Sequence, residues 1–218
     1  MSSAKLIRWS GLAAMAGGIV LAIIGIVTGL AEMSMPEEEA MSVIARTNVW
    51  QITMPLMLAA MILVLLGLVG LYGRQAEQAG SFGLIAFVFA FVGTALAVGL
   101  MWVFAFVVPA LAEAAPTILD ADEPPGTLGV AFFLSFILFA LGWLLFGVAS
   151  LRARVFPRWA SLLLIIGTIL SFVVDMLPFS IPIPLDLLVL GTGLIWLGYT
   201  LWSGLTQPAA TIEPAVEV

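Results

Sequence analysis

Six long stretches of the chain, each of 16 residues or more, carry no charged residue: 9–31, 47–73, 78–112, 124–151, 159–174 and 187–212. An α-helix crosses about 30 Å of hydrocarbon with roughly 20 apolar residues at 1.5 Å each, and five of these stretches are long enough unaided. The fifth, 159–174, reaches that length if its helix runs from Arg158 through Asp175 to about Leu177, which sets Asp175 near an interface rather than at mid-membrane. The chain is 63% hydrophobic and 9% charged, against about a quarter charged in soluble domains, so a water-facing surface cannot be built from it at this size. The expected fold is all-α: a bundle of six transmembrane helices at about 7–30, 48–72, 81–110, 127–150, 157–177 and 186–204 in one domain, 1–206. Pro109, with Ala110, Ala112 and Ala114 around it, predicts the end of the third helix. The remainder, 207–218, is acidic and contains two prolines, and predicts a disordered cytoplasmic tail.

Basic residues set the orientation. With six helices, Lys5, Arg8, Arg74, Arg152, Arg154 and Arg158 fall on one face and only Arg46 on the other, which makes the first face cytoplasmic. The opposite loops hold Glu32, Glu37, Glu38, Glu39, Glu113, Asp120, Asp122, Glu123, Asp175 and Asp186. Lys5 and Arg8 followed by an apolar run also describe a signal peptide. The run exceeds the 7 to 15 residues of a signal core, so a retained first helix is the reading preferred.

Cysteine and histidine are both absent. Thiolate nucleophiles, imidazole bases, disulfides and most transition-metal ligation go with them. Catalysis would have to rest on outer acids such as Glu113, Asp175 and Asp186, and the expectation is a non-enzyme. The basic footprint of a nucleic-acid binder is also absent. The acids at Glu37–Glu39 and at Asp120, Asp122 and Glu123 lack the ligand spacing and glycine of an EF-hand loop, so they read as solvated loop charge and no metal site is assigned.

Three features are candidates for function. Helix one carries Gly11, Ala14, Gly18, Ala22, Gly25 and Gly29 at spacings of three and four, a stripe of small residues for close packing on another helix or on a second copy. Helix four carries Phe132, Phe136, Phe139, Trp143 and Phe146 on one side, a face suited to a lipid, a quinone or a flat pigment, to a partner subunit, or simply to packing. Helix two opens with Asn48, Gln51 and Thr53 ahead of Pro55, whose missing N–H frees a carbonyl. This is the most polar intramembrane stretch and the place for a transport site, with interfacial anchoring as the plainer account. Elsewhere the helix interiors offer only hydroxyls, at Thr28, Thr94, Ser135, Thr168, Ser171 and Thr192, which is thin for ion coupling. Between Asp175 and Asp186 the three prolines of 176–185 preclude helix and predict a connector along the outer interface.

The chain repeats itself weakly. Arg8-Trp9-Ser10-Gly11 resembles Arg158-Trp159-Ala160-Ser161, each with a glycine nine residues after the arginine, at Gly17 and Gly167. Helices two, four and six end alike, at 66–72, 141–147 and 194–199, which fits three duplicated hairpins or simply the abundance of Gly, Leu and Trp in membrane helices. The segments Gly67-Leu-Val-Gly-Leu-Tyr-Gly-Arg-Gln-Ala-Glu77, Leu141-Gly-Trp-Leu-Leu-Phe-Gly-Val148 onward to Arg152, and Arg154-Val-Phe-Pro-Arg-Trp-Ala160 resemble small uncharacterised bacterial multi-pass membrane proteins. The likeness runs from about residue 5 to 203. It implies a six-helix layout in the bacterial inner membrane and transfers no functional residue. The function expected is an accessory or scaffold subunit, or a lipophilic-ligand-binding membrane protein. A small transporter or channel is the alternative.

Overall fold

A computed structural model describes residues 3–32, 39–121, 126–176 and 185–204, and these are helical apart from short turns. The long helices are α1 (Ser3–Glu32), α3 (Asn48–Trp102), α6 (Gly126–Ala153), α7 (Arg158–Met176) and α8 (Leu185–Ser203). A single turn, α2 (Met41–Ile44), precedes α3. After α3 come a π-helical turn (Val103–Val107), α4 (Val108–Ala114) and α5 (Pro116–Leu119). Among the described residues, four helical segments are long and apolar enough to cross a membrane: Lys5–Ala31, Asn48–Ala114, Gly126–Ala153 and Leu185–Ser203.

The second of these is 67 residues long and would extend about 100 Å if straight. It folds back on itself at Gly80, where φ is 57° and ψ −153°, a left-handed conformation that glycine adopts without Cβ strain. Tyr72 and Phe87, about 22 Å apart in a straight helix, stack with ring centroids 4.3 Å apart. Trp50 and Phe104 meet at 5.9 Å, and the Trp50 indole Nε1 donates to Phe104 O at 3.1 Å. The sequence reading places a connector over 73–80. Instead helical structure runs up to the glycine, and one residue makes the turn.

Nor does the second arm end at Pro109. Proline lacks the N–H that would bond back to the preceding turn. The widened π turn over Val103–Val107 lies immediately ahead of it, and the helix resumes through Ala114. Pro55, by contrast, sits in α3 without disturbing its helical dihedrals.

Packing follows chain order: α1 on α3, α3 on α6, α6 on α7, α7 on α8, and α8 back on α1. Glycines set these approaches. A Cβ built on Gly18 would lie 2.6 Å from Gly191 O, and one on Gly191 would lie 2.6 Å from Gly18 O. Gly11 and Gly198 repeat the arrangement at 2.8 and 2.6 Å, so α1 and α8 run antiparallel with their backbones in contact. Gly67 admits Ala14, Gly70 admits Ser10, and Gly142 admits the Ala90 backbone. Between them lies a core that includes Leu68, Leu71, Trp143, Phe146, Phe156, Leu164 and Leu197. Outward faces are apolar as well: Ile19, Ile23, Ile26 and Leu30 on α1, Leu66 and Val88 on α3, and Phe133 on α6 are exposed, a pattern suited to lipid as the surrounding solvent.

Because neighbours alternate in direction, Lys5 and Arg8, Arg74, Arg152, Arg154, Arg158 and the end of α8 gather at one end of the bundle. Arg46, Glu113, Asp120 and Asp186 gather at the other.

Candidate functional site

The small-residue stripe of α1 serves two neighbours rather than one. Gly11 and Gly18 face α8, with Ala22 beside Gly191, whereas Ala14 faces Gly67 of α3. Gly17, outside the predicted stripe, is buried against Ala60 and Val64 of α3. Gly25 and Gly29 are buried. The reason is geometric: in a closed bundle each helix meets a partner on either side, so a single stripe cannot account for both contacts.

The aromatic face of α6 divides along its length. Trp143 and Phe146 are fully buried and meet edge to face at 5.9 Å. The Trp143 indole Nε1 donates to Thr94 Oγ1 at 3.0 Å, and that hydroxyl donates to Ala90 O at 2.6 Å. A polar chain therefore ties the middle of α6 to the second arm of α3. Phe139 lies 6.2 Å from Trp143 at the edge of this core. Phe132, half-buried, stacks on Phe104 at 5.9 Å, and Phe136 is half-buried between them in sequence. The inner half of the stripe is core, and only its outer half borders accessible space.

Asn48 and Gln51 are exposed, and Gln51 Nε2 reaches Arg46 O at 3.4 Å. Thr53 is buried and donates to Val49 O at 2.7 Å. The helix start is capped by Thr47, whose Oγ1 accepts from Trp50 N at 3.2 Å. Thr53 does line a cavity of about 120 Å³ between α1 and α3, with Thr28, Thr47 and Trp50, but Asn48 and Gln51 are not part of its wall.

At the mouth of the α3 hairpin the structure makes contacts the sequence does not announce. Ser42 donates to the Asp120 carboxylate twice, from its backbone N at 2.9 Å and from Oγ at 2.7 Å. Arg46 donates to Ala112 O. The Ser42 backbone N–H, then its hydroxyl, hold the Asp120 carboxyl below the usual range. Burial opposes this and Arg46 adds to it. Asp186 accepts from Ser171 Oγ at 2.9 Å. Glu37, Glu38, Asp122, Glu123, the Asp175 side chain, and the tail 207–218 lie outside the described residues, as does most of the proline segment. Among the described residues no three acids cluster to hold a metal.

The other end holds two features that the sequence reading missed. Gln75, Ser150 and Ser161 are fully buried, and among the described residues their side-chain polar atoms have no hydrogen-bond partner. Beside them, the α6/α7 seam is open to the outside. A lateral groove of about 280 Å³ is lined by Ile137, Ala140, Leu141, Leu144, Thr168 and Ile169. Nearer the basic end, a cleft of about 440 Å³ is lined by Val148, Leu151, Arg152, Arg154, Arg158 and Leu162. The repeat of apolar residues on α6 was there to be read, but the adjoining face of α7 is seen only once the helices are placed.

The chain matches no protein-family model, no curated protein and no solved structure. Functional assignment therefore rests on the geometry of these sites.

Proposed function

We propose that this chain is a non-enzymatic multi-pass membrane protein that binds a lipophilic molecule, in an accessory or scaffold role, in a bacterial inner membrane. Six crossings follow if each arm of α3 spans once and the 19-residue α7 also spans. The basic residues at the end shared by both termini then support a cytoplasmic address for that end. The contacts of α1 with both α3 and α8 support a retained first helix, since its removal would uncover Gly67, Gly70, Gly191 and Gly198. Gly17 and Gly167 each pack on the next helix of their hairpin, at Val64 and Leu190, which supports duplication. The resemblance to small bacterial multi-pass membrane proteins supports the same address.

One observation carries the ligand-binding reading: the groove between α6 and α7 opens sideways, where acyl chains would lie, and its wall is almost wholly apolar. The interior supports it indirectly, because the buried hydroxyls of Thr53, Thr94, Thr168 and Thr200 are each engaged with a carbonyl of their own helix. Purification in mild detergent, followed by lipid extraction, mass spectrometry and an absorption spectrum, is expected to show a retained lipid, quinone or pigment, or a co-purifying subunit. A protein that emerges alone and empty would count against the proposal.

A transport reading finds its support in the threonine-lined cavity between α1 and α3. Flux into liposomes that is lost in Thr53→Val would favour it over the lipid-binding role.

A further inference from the structure

Resting on the reading of the α6/α7 groove as a lipophilic site, we infer that the seam holds an anionic phospholipid, its headgroup on Arg152, Arg154 and Arg158 and one acyl chain in the groove.

The two cavities are consecutive stretches of one surface. Ile137, Leu141, Leu144, Val148 and Leu151 recur at intervals of four and three and so form one face of α6, with Arg152 at its end. From Arg152 to Leu141 is eleven residues, about 16 Å along the helix axis. The hydrocarbon of one leaflet is about 15 Å deep, half of a 30 Å core. A chain that starts at the arginines therefore ends at the groove.

The head of the cleft is shaped by charge. None of its three arginines forms an ion pair among the described residues. Glu77, the one described acid at this end, is exposed on a different helix. Arg152 is held in place with its guanidinium 4.8 Å from the Phe82 ring centroid. Arg154 closes α6 with φ 55°, its N–H bonded to Ser150 O at 3.3 Å, a position at which helices usually place glycine. Arg158 opens α7 one turn before Leu162. Trp159, 70% exposed, follows at the depth where tryptophan anchors to headgroups. Three guanidiniums without an acidic partner among the described residues, above an apolar slot, complement a phosphodiester that carries an acyl chain, and a zwitterionic headgroup, whose own cation opposes its phosphate, would compensate less of their charge.

The test uses the full chain in nanodiscs of mixed phosphatidylglycerol and phosphatidylcholine, followed by gentle extraction and native mass spectrometry of the retained lipid. Wild type is expected to keep phosphatidylglycerol over phosphatidylcholine. Arg152→Gln/Arg154→Gln/Arg158→Gln should lower that preference on the order of tenfold or more, and Lys5→Gln/Arg8→Gln, which removes charge at the same end, should leave it unchanged. Leu141→Trp, which fills the groove from its exposed side, should reduce retention of both lipids. Equal preference in wild type and the triple variant would overturn the inference, as would an equal loss in the Lys5/Arg8 control. Displacement by excess inorganic phosphate would overturn it in favour of a free-phosphate site. If Leu141→Trp abolishes retention while the triple variant does not, the groove reading stands and the headgroup assignment falls. If neither variant matters, both fall.

Discussion

The α1/α8 and α6/α7 seams both join neighbouring antiparallel helices and both contain glycine, yet they are built oppositely. At the first, Gly11 and Gly18 lie against Gly198 and Gly191, with backbone facing backbone. At the second, a Cβ on Gly147 would meet the Ile165 side chain at 2.6 Å, with the nearest backbone atom, Ser161 O, at 3.5 Å, and the seam opens into a groove and a cleft. In lipid no hydrophobic gain drives two apolar helices together, so association depends on close packing and on hydrogen bonds between helices. A seam with glycine on both sides closes. The one with glycine on a single side leaves a groove and a cleft.

This contrast is most sharply broken by adding one methyl group to each seam. Gly18→Ala drives a Cβ to 2.6 Å from a backbone carbonyl that cannot move without shifting α8, and should cost about 1–3 kcal/mol. Gly147→Ala meets Ile165 Cγ1 at the same 2.6 Å, but this contact is with a side chain bordering an open seam, so a small local shift rather than displacement of a whole helix relieves it. Helix propensity then favours alanine by about 0.5–1 kcal/mol, and the net change should be close to zero. Thermal unfolding in one detergent decides the matter, and equal losses at the two sites would erase the distinction.

A smaller effect is expected at the α3/α6 junction, which closes through Gly93 on α3 and Gly142 on α6, each against backbone, and through a polar chain between the helices. Trp143→Phe removes the indole donor to Thr94 while keeping a buried ring. The loss should be about 0.6–1.7 kcal/mol, the range for hydrogen bonds between membrane helices. A cost near zero would mean that the junction relies on packing alone.

The smallest effect concerns the mouth of the α3 hairpin, which is closed by charge instead of close backbone contact. Asp120 is held below its ordinary range by Ser42. Its contribution is therefore present above the unfolded value, about 3.9, and is lost as pH falls through the lower folded value. The difference in melting temperature between wild type and Asp120→Asn should be visible at neutral pH, begin to shrink as pH falls to about 4, and vanish only below the depressed folded value. A difference that persists at lower pH would show that the Asp120 carboxylate charge does not supply it.

How much of this was legible in the sequence depends on the range of the interaction. The all-helical fold and the apolar segments are written in runs of uncharged residues, and the glycines of α1 are visible as a period of three and four. The division of those glycines between α3 and α8 is not, because periodicity identifies a face without saying how many neighbours share it. The reversal at Gly80 was obscured by Arg74 and Glu77, which read as loop, although helical structure continues through both. Nothing local marks Ser42 as the partner of Asp120, 78 residues away. The aromatic stripe on α6 was visible as a pattern, but its inner half is core because Thr94 and Ala90 of α3 lie opposite it.

Six crossings with both termini on the cytoplasmic side can be tested directly, because the chain contains no cysteine. Single replacements Gln78→Cys, Thr117→Cys and Ser203→Cys fall on exposed residues at the α3 reversal, at the mouth of the hairpin and at the end of α8. A membrane-impermeant maleimide applied to intact spheroplasts should label only Thr117→Cys, with the other two labelled only after permeabilisation. Labelling of Ser203→Cys in intact spheroplasts, or of Gln78→Cys and Thr117→Cys from the same side, would contradict it.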